Sequence, residues 1–370
     1  TYYPITQKNS RANFNDSNYD SVINTGYTSN QNLSLSGGGE NGSFYLALGN
    51  VRQDGVIRNS TFNRTNIDFN STYRLGDKTT FKGKMSYSTS NSNRVQQGSN
   101  LSGLLLGLYR SPADFDQRDY IGTNFTAAGV PTLGSHRAYR AQQGTSEGSR
   151  NPIYNNPLWT TDIQTNPSVV NRYVAGIELQ HNFTDRFKVL ARANVDGYTD
   201  ERKSMFPIFS ADNAGNGLAT EDGISHRQFN VDLMGIGNVN LTDDLKLDYT
   251  VGVNTAEINT NFRGGSYQTF LINTTKFAYS NSLLANRTTY LNENNTRTNA
   301  AFVSTSLNYR DFLNANIGAR AETSSALDPN LKTYVYPSVE LSYLFTHHLK
   351  SDVLTNGKLR ATFGQVYIMP

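Results

Sequence analysis

Residues 65–88 read TNIDFNSTYRLGDKTTFKGKMSYS, and the alternation within this stretch decides the fold. In its first half one face carries Ile67 and Phe69, whereas the other face carries Asp68 and Arg74. Successive side chains of a β-strand point to opposite faces, so each half predicts a strand with one apolar and one polar face. The Gly-Asp dipeptide between the halves predicts a tight turn. The stretch therefore predicts an antiparallel hairpin.

The same unit recurs along the whole chain and gives about twelve strands, most of them about ten residues or longer. Tight turns are predicted near residues 37–42, 76–78, 184–186, 242–244 and 310–312. The connections between them are predicted to be longer, near residues 52–63, 91–170, 201–224, 260–296 and 322–333. Short and long connections thus alternate, as expected when antiparallel strands cross a slab with turns on one side and elaborated loops on the other.

A soluble β-sandwich also buries one face of each strand, so alternation alone leaves the solvent of the apolar face open. Tilted strands of about ten residues match the thickness of the hydrocarbon core of a membrane. Aromatic residues also bracket the tight turns, as in the interfacial girdle of outer-membrane barrels; the pairs are Tyr73 and Phe81, Phe183 and Phe187, and Tyr309 and Phe312. We therefore predict an all-β fold, a transmembrane antiparallel β-barrel.

Composition excludes several classes of function. The 370 residues include no cysteine, which removes thiolate chemistry and disulfides. A net charge of +3 spread along the chain does not predict nucleic-acid binding. The only adjacent histidines are His347 and His348, whose side chains would point to opposite faces of a strand. We expect no catalytic site, no metal, no cofactor and no enzyme activity.

Five blocks of sequence, in order along the chain, resemble the SusC/RagA family of TonB-dependent outer-membrane transporters. Each block is short and consists mainly of aromatic or turn residues, but the five blocks are spread over nearly the whole chain. The blocks are Asn32–Gly38 with Phe44–Gly49 and Gln53–Ile57; Asn156–Trp159 with Asn171–Arg172 and Phe183–Lys188; Tyr309–Asp311 with Ala319–Ser325; Tyr336–Val339; and Lys358–Val366.

This resemblance implies a barrel of about 22 strands with a plugged lumen, of which residues 1–370 are part of one domain. The family's plug domain, TonB box and remaining strands are expected to lie outside this chain. The implied function is import of oligosaccharides or oligopeptides in the outer membrane of Gram-negative, Bacteroidetes-type bacteria. The implied partners are a SusD-like surface lipoprotein that acts as a lid, the TonB complex, which acts through the plug, and outer-membrane lipid.

Two other functions remain open at this point. The chain could belong to a siderophore or metal-chelate receptor of the wider TonB-dependent class. It could also be a barrel that serves as a structural or docking component of a larger surface assembly. A hydrolase is disfavoured because the sequence shows no Ser, His and acid grouping.

Candidate site residues fall into two groups. The charged residues on the polar strand faces are expected to face the lumen and the plug; they are Asp68, Arg74, Lys84, Glu178, Arg192, Asp196 and Arg320. The aromatic residues of the long extracellular loop, about 91–170, are candidates for substrate or lid contact; they are Tyr109, Tyr120, Tyr139, Tyr154 and Trp159. Loops of this length are usually functional. The alternative is that these aromatic rings only hold the loop together.

Overall fold

The computed structural model describes residues 17–96, 102–113, 115–118, 120–125, 131–136, 138, 154–327, 333–349 and 353–366. Three short helices are present: α1 (Ser17–Asp20), α2 (Leu104–Arg110) and α3 (Pro157–Asp162). All other regular structure is β-sheet apart from brief 3₁₀ turns. Within the described part of the chain, no helix is both long and apolar enough to cross a membrane.

Twelve strands form one antiparallel sheet in which each strand pairs with its neighbours along the chain. A separate pair, β5 (Ile121–Phe125) and β6 (Pro131–His136), lies in the connection between β4 and β7. The twelve strands are β1 (Tyr27–Gly39), β2 (Gly42–Asp54), β3 (Thr61–Leu75), β4 (Thr79–Asn93), β7 (Pro167–Thr184), β8 (Phe187–Ile208), β9 (Asn216–Asn240), β10 (Leu245–Gln268), β11 (Arg287–Tyr309), β12 (Leu313–Ser324), β13 (Tyr334–Leu344) and β14 (Lys358–Gly364). This architecture confirms the all-β fold class.

From β1 to β13 the connections alternate in length along the sheet. Five tight turns lie at one end, which we call the turn end, and they join β1 to β2, β3 to β4, β7 to β8, β9 to β10 and β11 to β12. The opposite end, which we call the loop end, carries the connections after β2, β4, β8, β10 and β12. Each strand therefore runs from one end of the sheet to the other, and these five connections lie together at the loop end.

Strands β8 to β11 are 22 to 25 residues long and extend much further toward the loop end than the sequence indicates. Residues 201–224 and 260–296, which the sequence predicts as loops, are mainly strand. The prediction fails because apolar residues do not alternate regularly with polar ones in these extensions, so no continuous apolar stripe marks them. Backbone pairing continues regardless, for instance from Glu201 opposite Gly223 to Tyr267 opposite Arg287.

The two faces of the sheet differ as the alternation predicts. On β10 one face presents Leu247, Tyr249, Val251 and Val253 toward the turn end. Val251 and Val253 are exposed, and Leu33 on β1 is 69% exposed on the same face. A continuous exposed band of large apolar residues is rare on a soluble monomer. We call this side the apolar face and the opposite side the polar face.

The described part of the long connection after β4 packs into a small domain at the loop end. Its core contains Val22, two residues after the end of α1, Leu104 and Leu108 from α2, and Leu158 from α3. The loop between β2 and β3 joins it through Ile57. We call this assembly the cap: α1 and the residues up to Ile23, the β2–β3 loop (residues 55–60), and the described parts of residues 102–166.

Candidate functional site

The polar face is concave between β1 and β9. A cavity of about 1220 Å³ lies there, lined by residues of seven consecutive strands of the sheet. Its charged lining residues are Lys82, Lys84, Glu178, Arg192 and Asp196. Polar and apolar residues both contribute to its lining; the apolar ones include Phe44, Ile177 and Val195. The cavity lies on the polar face, so the wall curves toward that side.

Cross-strand ion pairs organise the charges of this cavity. Lys82 on β4 contacts Glu178 on β7 with an N–O distance of 2.9 Å, and Arg172 on β7 contacts Asp196 on β8 at 2.8 Å. Lys84 lines the cavity one same-face position beyond Lys82. Opposite charges across a strand pair stabilise a sheet by fractions of a kcal/mol. Each pair joins one predicted lumen residue, Glu178 or Asp196, to a basic residue that the prediction did not include, and the partners are about 20 to 100 positions apart in sequence.

A longer polar network crosses β8 to β12. Arg192 donates from Nε and Nη2 to Asp232, at 3.1 and 3.0 Å. Asn254 donates to the other oxygen of Asp232 at 2.7 Å and accepts a hydrogen bond from Arg320 at 3.2 Å. Arg320 also contacts Glu322 at 2.7 Å. The network supplies hydrogen-bond donors to the carboxylates of Asp232 and Glu322, which are almost completely buried. An isolated charge buried at either position would be strongly destabilising.

The two remaining charged candidates occupy the first hairpins. Asp68 on β3 accepts hydrogen bonds from Asn66 at 2.9 Å and from Ser86 at 2.6 Å. Arg74 lies at the turn end of β3, exposed, opposite Thr80. Asp68 is thus held by neutral partners of the wall, whereas the guanidinium of Arg74 reaches solvent at the end of the wall.

The aromatic candidates of the cap have different environments. Tyr109 on α2 is 74% exposed, whereas Tyr154 and Trp159 are almost completely buried. The Tyr154 hydroxyl donates to the carbonyl oxygen of Arg110 at 3.2 Å. Tyr120 is half-buried and donates to Asp162 at 2.7 Å. Packing within the loop, the alternative that the sequence left open, accounts for the positions of Tyr154 and Trp159; Tyr139 lies outside the described residues.

The cap is fastened to the tip of the β8–β9 hairpin. Asn155 accepts a hydrogen bond from the Ala211 backbone at 2.7 Å and donates to Ser210 at 3.2 Å. Gln164 also donates to Ser210, at 2.7 Å. Next to this junction lies His136, whose ring centre is 4.8 Å from that of Trp159. Burial lowers the pKa of His136 to about 3, so the ring is neutral at physiological pH.

A second fastening, within the cap, joins α3 to the β2–β3 loop. The Asp162 carboxylate accepts hydrogen bonds from Arg58 Nε at 2.8 Å, Asn59 Nδ2 at 2.8 Å and the Tyr120 hydroxyl. Burial together with this hydrogen bond raises the pKa of Tyr120, which keeps the hydroxyl protonated. One carboxylate thus ties three segments that are far apart in sequence.

Sequence reasoning missed a set of aromatic side chains on the polar face. Tyr198 on β8 and His226 on β9 stack with ring centres 5.3 Å apart, and Phe262 on β10 and Tyr290 on β11 stack at the same separation. We call these four residues the ledge. Extending the period-two pattern beyond the apolar runs would have found them, because each has the parity of the polar face.

No protein-family model matches the chain, and no curated protein matches it. Solved structures do match. The structure of the RagAB peptide transporter has a TM-score of 0.70 and 16% sequence identity, with 94% of this chain covered. The RagAB peptide importer in its open-open state gives 0.71, also at 16% identity and 94% coverage. The open form of the ferric-catecholate import receptor Fiu from E. coli K12 gives 0.51 at 10% identity, covering 92% of this chain and 53% of that one.

The chain spans 38% of the length of the first of these structures and 37% of the second, so the twelve strands correspond to part of a larger barrel. These structural similarities establish the fold. At sequence identities this low they do not establish activity, substrate or partners, which have to be argued separately. Within that limit, they bear out the fold that the SusC/RagA resemblance implied. The chain therefore has the fold of part of the barrel wall of a TonB-dependent transporter.

Proposed function

We propose that this chain forms part of the wall of a TonB-dependent nutrient importer of SusC type in the bacterial outer membrane. The observation that carries the proposal is the separation of the two faces of a wall that shares its fold with such importers. One face carries an exposed apolar band, and the other carries a concave surface with ion-paired charges. A closed barrel is the only way in which β-strands cross a bilayer without unpaired backbone groups.

The height of the apolar band fits a membrane. On β10 the apolar face runs from Leu245 to Val253, which is about 27 Å along the strand and about 20 Å after tilting. The first charged groups beyond it on that face are Glu257 and its partners Arg297 and Arg227, at 2.7 and 3.7 Å. Charges therefore begin where the lipid headgroups would begin. Because outer-membrane barrels have short periplasmic turns and longer extracellular loops, the loop end would lie outside the cell.

The polar face would then enclose the lumen and receive a plug domain. The charges that line the cavity, including Lys84 and Glu178, supply hydrogen-bonding groups that a folded plug can meet. Import against a gradient across the outer membrane needs energy from elsewhere, because no ATP is available there. We infer that the TonB complex supplies it by acting on the plug, and that no covalent chemistry takes place in this chain.

The cap would face a lid at the outer surface. Tyr109 exposes its ring on α2, beside Leu105, which is also exposed. These groups, with Tyr120, are our candidates for contact with a SusD-like lipoprotein or with an oligosaccharide or oligopeptide substrate. The similarity to the RagAB structures, a peptide transporter and a peptide importer, supports an oligopeptide among these substrates.

The proposal is tested by deleting the gene and measuring growth on single defined glycan or peptide sources. We expect the deletion strain to lose growth on one source and to regain it when the intact gene is supplied. A TonB-null strain should also fail to grow on that source. Unchanged growth on all sources would refute nutrient import. It would favour instead a structural or docking role in a surface assembly.

A second candidate function is uptake of a metal chelate. The similarity to the receptor Fiu supports it, although the TM-score of 0.51 is well below that of the RagAB structures. This candidate predicts that the deletion strain grows normally on all nutrients and poorly when iron is limiting. Normal growth under iron limitation would exclude it.

A further inference from the structure

The ledge lies on the polar face between the cavity and the loop end. Asp196 on β8 and Gln228 on β9 line the cavity. Tyr198 and His226 are the next same-face positions toward the loop end on these strands, and they are register partners. A molecule that moves from the loop end to the cavity along this part of the wall therefore passes over the ledge.

Side chains of the wall fix the ring planes of the ledge. The planes of Tyr198 and His226 are 26° apart, and His226 Nδ1 is 2.9 Å from the hydroxyl of Thr260. The planes of Phe262 and Tyr290 are 15° apart. Each pair thus has near-parallel rings, and Phe262 and Tyr290 are 38% and 37% exposed. Aromatic rings held in this way offer flat apolar faces at little entropic cost.

A glycine allows Tyr290 to lie across its neighbouring strand. Its hydroxyl passes over Gly264 on β10 and donates a hydrogen bond to Asp222 on β9. A methyl group at position 264 would lie 2.6 Å from the Tyr290 hydroxyl and 2.7 Å from the Asp222 carboxylate. Burial, together with the hydrogen bond to Asp222, raises the pKa of Tyr290 to about 12, so the ring stays neutral.

The charges around the ledge are already engaged within the wall. Arg202 contacts Asp200 at 2.5 Å, and the Asp222 carboxylate accepts the Tyr290 hydroxyl. Neutral amides flank the rings on β11: Asn292 is the register partner of Phe262, and Asn294 that of Thr260, and both are exposed. The surface thus combines flat apolar rings with uncharged donors and acceptors.

We propose that the ledge binds a neutral oligosaccharide, an inference that rests on the importer function proposed above. The C–H faces of pyranose rings pack on flat aromatic rings, and their hydroxyl groups bond to amides and hydroxyls such as those of Asn292 and Thr260. Ligand sites generally combine apolar surface with a few placed polar groups in this way. A charged ligand would instead have to compete with ion pairs that the wall already satisfies.

The test measures binding to the full-length transporter purified in detergent. The probes are maltohexaose, cellohexaose, laminarihexaose and mannohexaose, with a pool of uncharged heptapeptides as the comparison, all by isothermal titration calorimetry. We expect at least one hexasaccharide to bind, and Phe262→Ala and Tyr198→Ala each to weaken its binding at least tenfold. Phe262→Trp keeps a flat ring and is expected to bind within twofold of wild type.

The matched control is Leu291→Ala, which removes an exposed side chain from the opposite face of β11 next to Tyr290. It is expected to bind as wild type does, and the heat-resistant folded band on gels checks that each variant is folded. The inference is overturned if no hexasaccharide binds, or if binding survives both alanine substitutions. It is also overturned if the heptapeptides bind and lose affinity in the same variants.

Failure of this inference is distinguishable from failure of the importer function. TonB-dependent uptake of peptides with no saccharide binding would leave the importer standing and remove the ledge as a saccharide site. Saccharide binding that depends on Phe262 and Tyr198, with no TonB-dependent uptake, would leave the ledge standing as a saccharide site and would refute the importer function.

Discussion

Asp162 should control how often the cap opens between α3 and the β2–β3 loop. Its carboxylate is largely buried and accepts from Arg58, Asn59 and Tyr120 at 2.7 to 2.8 Å. Replacing Asp162 by Ala removes all three contacts at once. Because the three donors come from two segments of the cap, the substitution separates those segments from α3.

The magnitude follows from the exposure of the three partners. The Arg58 pair is half-exposed and counts for less than about 1 kcal/mol. The bonds from Tyr120 and Asn59 to a carboxylate are worth about 1.5 kcal/mol each, the low end for a charged acceptor, because both donors are partly exposed. The free energy of cap opening should therefore fall by about 3 kcal/mol, which corresponds to roughly 100-fold more frequent opening.

Hydrogen exchange detected by mass spectrometry measures this directly on the intact protein. Peptides that cover residues 55–60, 102–113 and 154–166 should exchange roughly 100-fold faster in Asp162→Ala, whereas β9 and β10 should be unchanged. Asp116→Ala is the matched control, because it removes an acidic side chain of the same cap whose ion pair with Arg118, at 2.7 Å, is local in sequence. Equal exchange in wild type, Asp162→Ala and Asp116→Ala would refute the reasoning that this carboxylate fastens the cap.

Three further predictions concern the cap and the wall. Acid should loosen the cap, because His136 stays neutral in the closed cap but binds a proton in the opened chain below about pH 6.5. Cap opening, measured by hydrogen exchange, should therefore become up to about tenfold more frequent per pH unit as the pH falls from about 6.5 to 3. A His136→Gln variant should show a flatter pH profile. Asp232→Ala should lower the free energy of unfolding by about 2 to 3 kcal/mol because Arg192 then lacks its acceptor in the wall, read as a lower urea midpoint of the folded band, whereas an unchanged midpoint would show that the network adds nothing. Val251→Arg should cost about 2 to 4 kcal/mol in folding into lipid bilayers, whereas Thr250→Arg, one position away on the polar face, should cost much less; equal costs would contradict the assignment of the two faces.

The cap connects local and long-range parts of this fold. Asn156 begins α3 because its side chain accepts from the Leu158 backbone at 2.9 Å, with Pro157 at the first helical position. That short helix buries Leu158 and Trp159 and points Asp162 at the β2–β3 loop. A local capping signal thus positions the group that fastens two distant connections.

The sequence by itself determined the strands, their two faces and the alternation of short and long connections. These properties depend on neighbours one or two residues apart, as in Ile67 and Asp68, so they can be read along the chain. They also predicted which charged residues share the polar face. The resemblance then indicated the larger barrel from which such a wall comes.

Only the tertiary structure decided which of these residues meet. The contact of Arg320 with Asn254 joins positions 66 apart, and it depends on the registers of two strand pairs, β10 with β11 and β11 with β12. Burial of Trp159 and exposure of Tyr109 depend on how the cap folds over itself. The ledge stayed hidden because the extensions of β8 to β11 are held by backbone pairing, which is nearly independent of side-chain polarity and therefore leaves no period-two apolar stripe in the sequence.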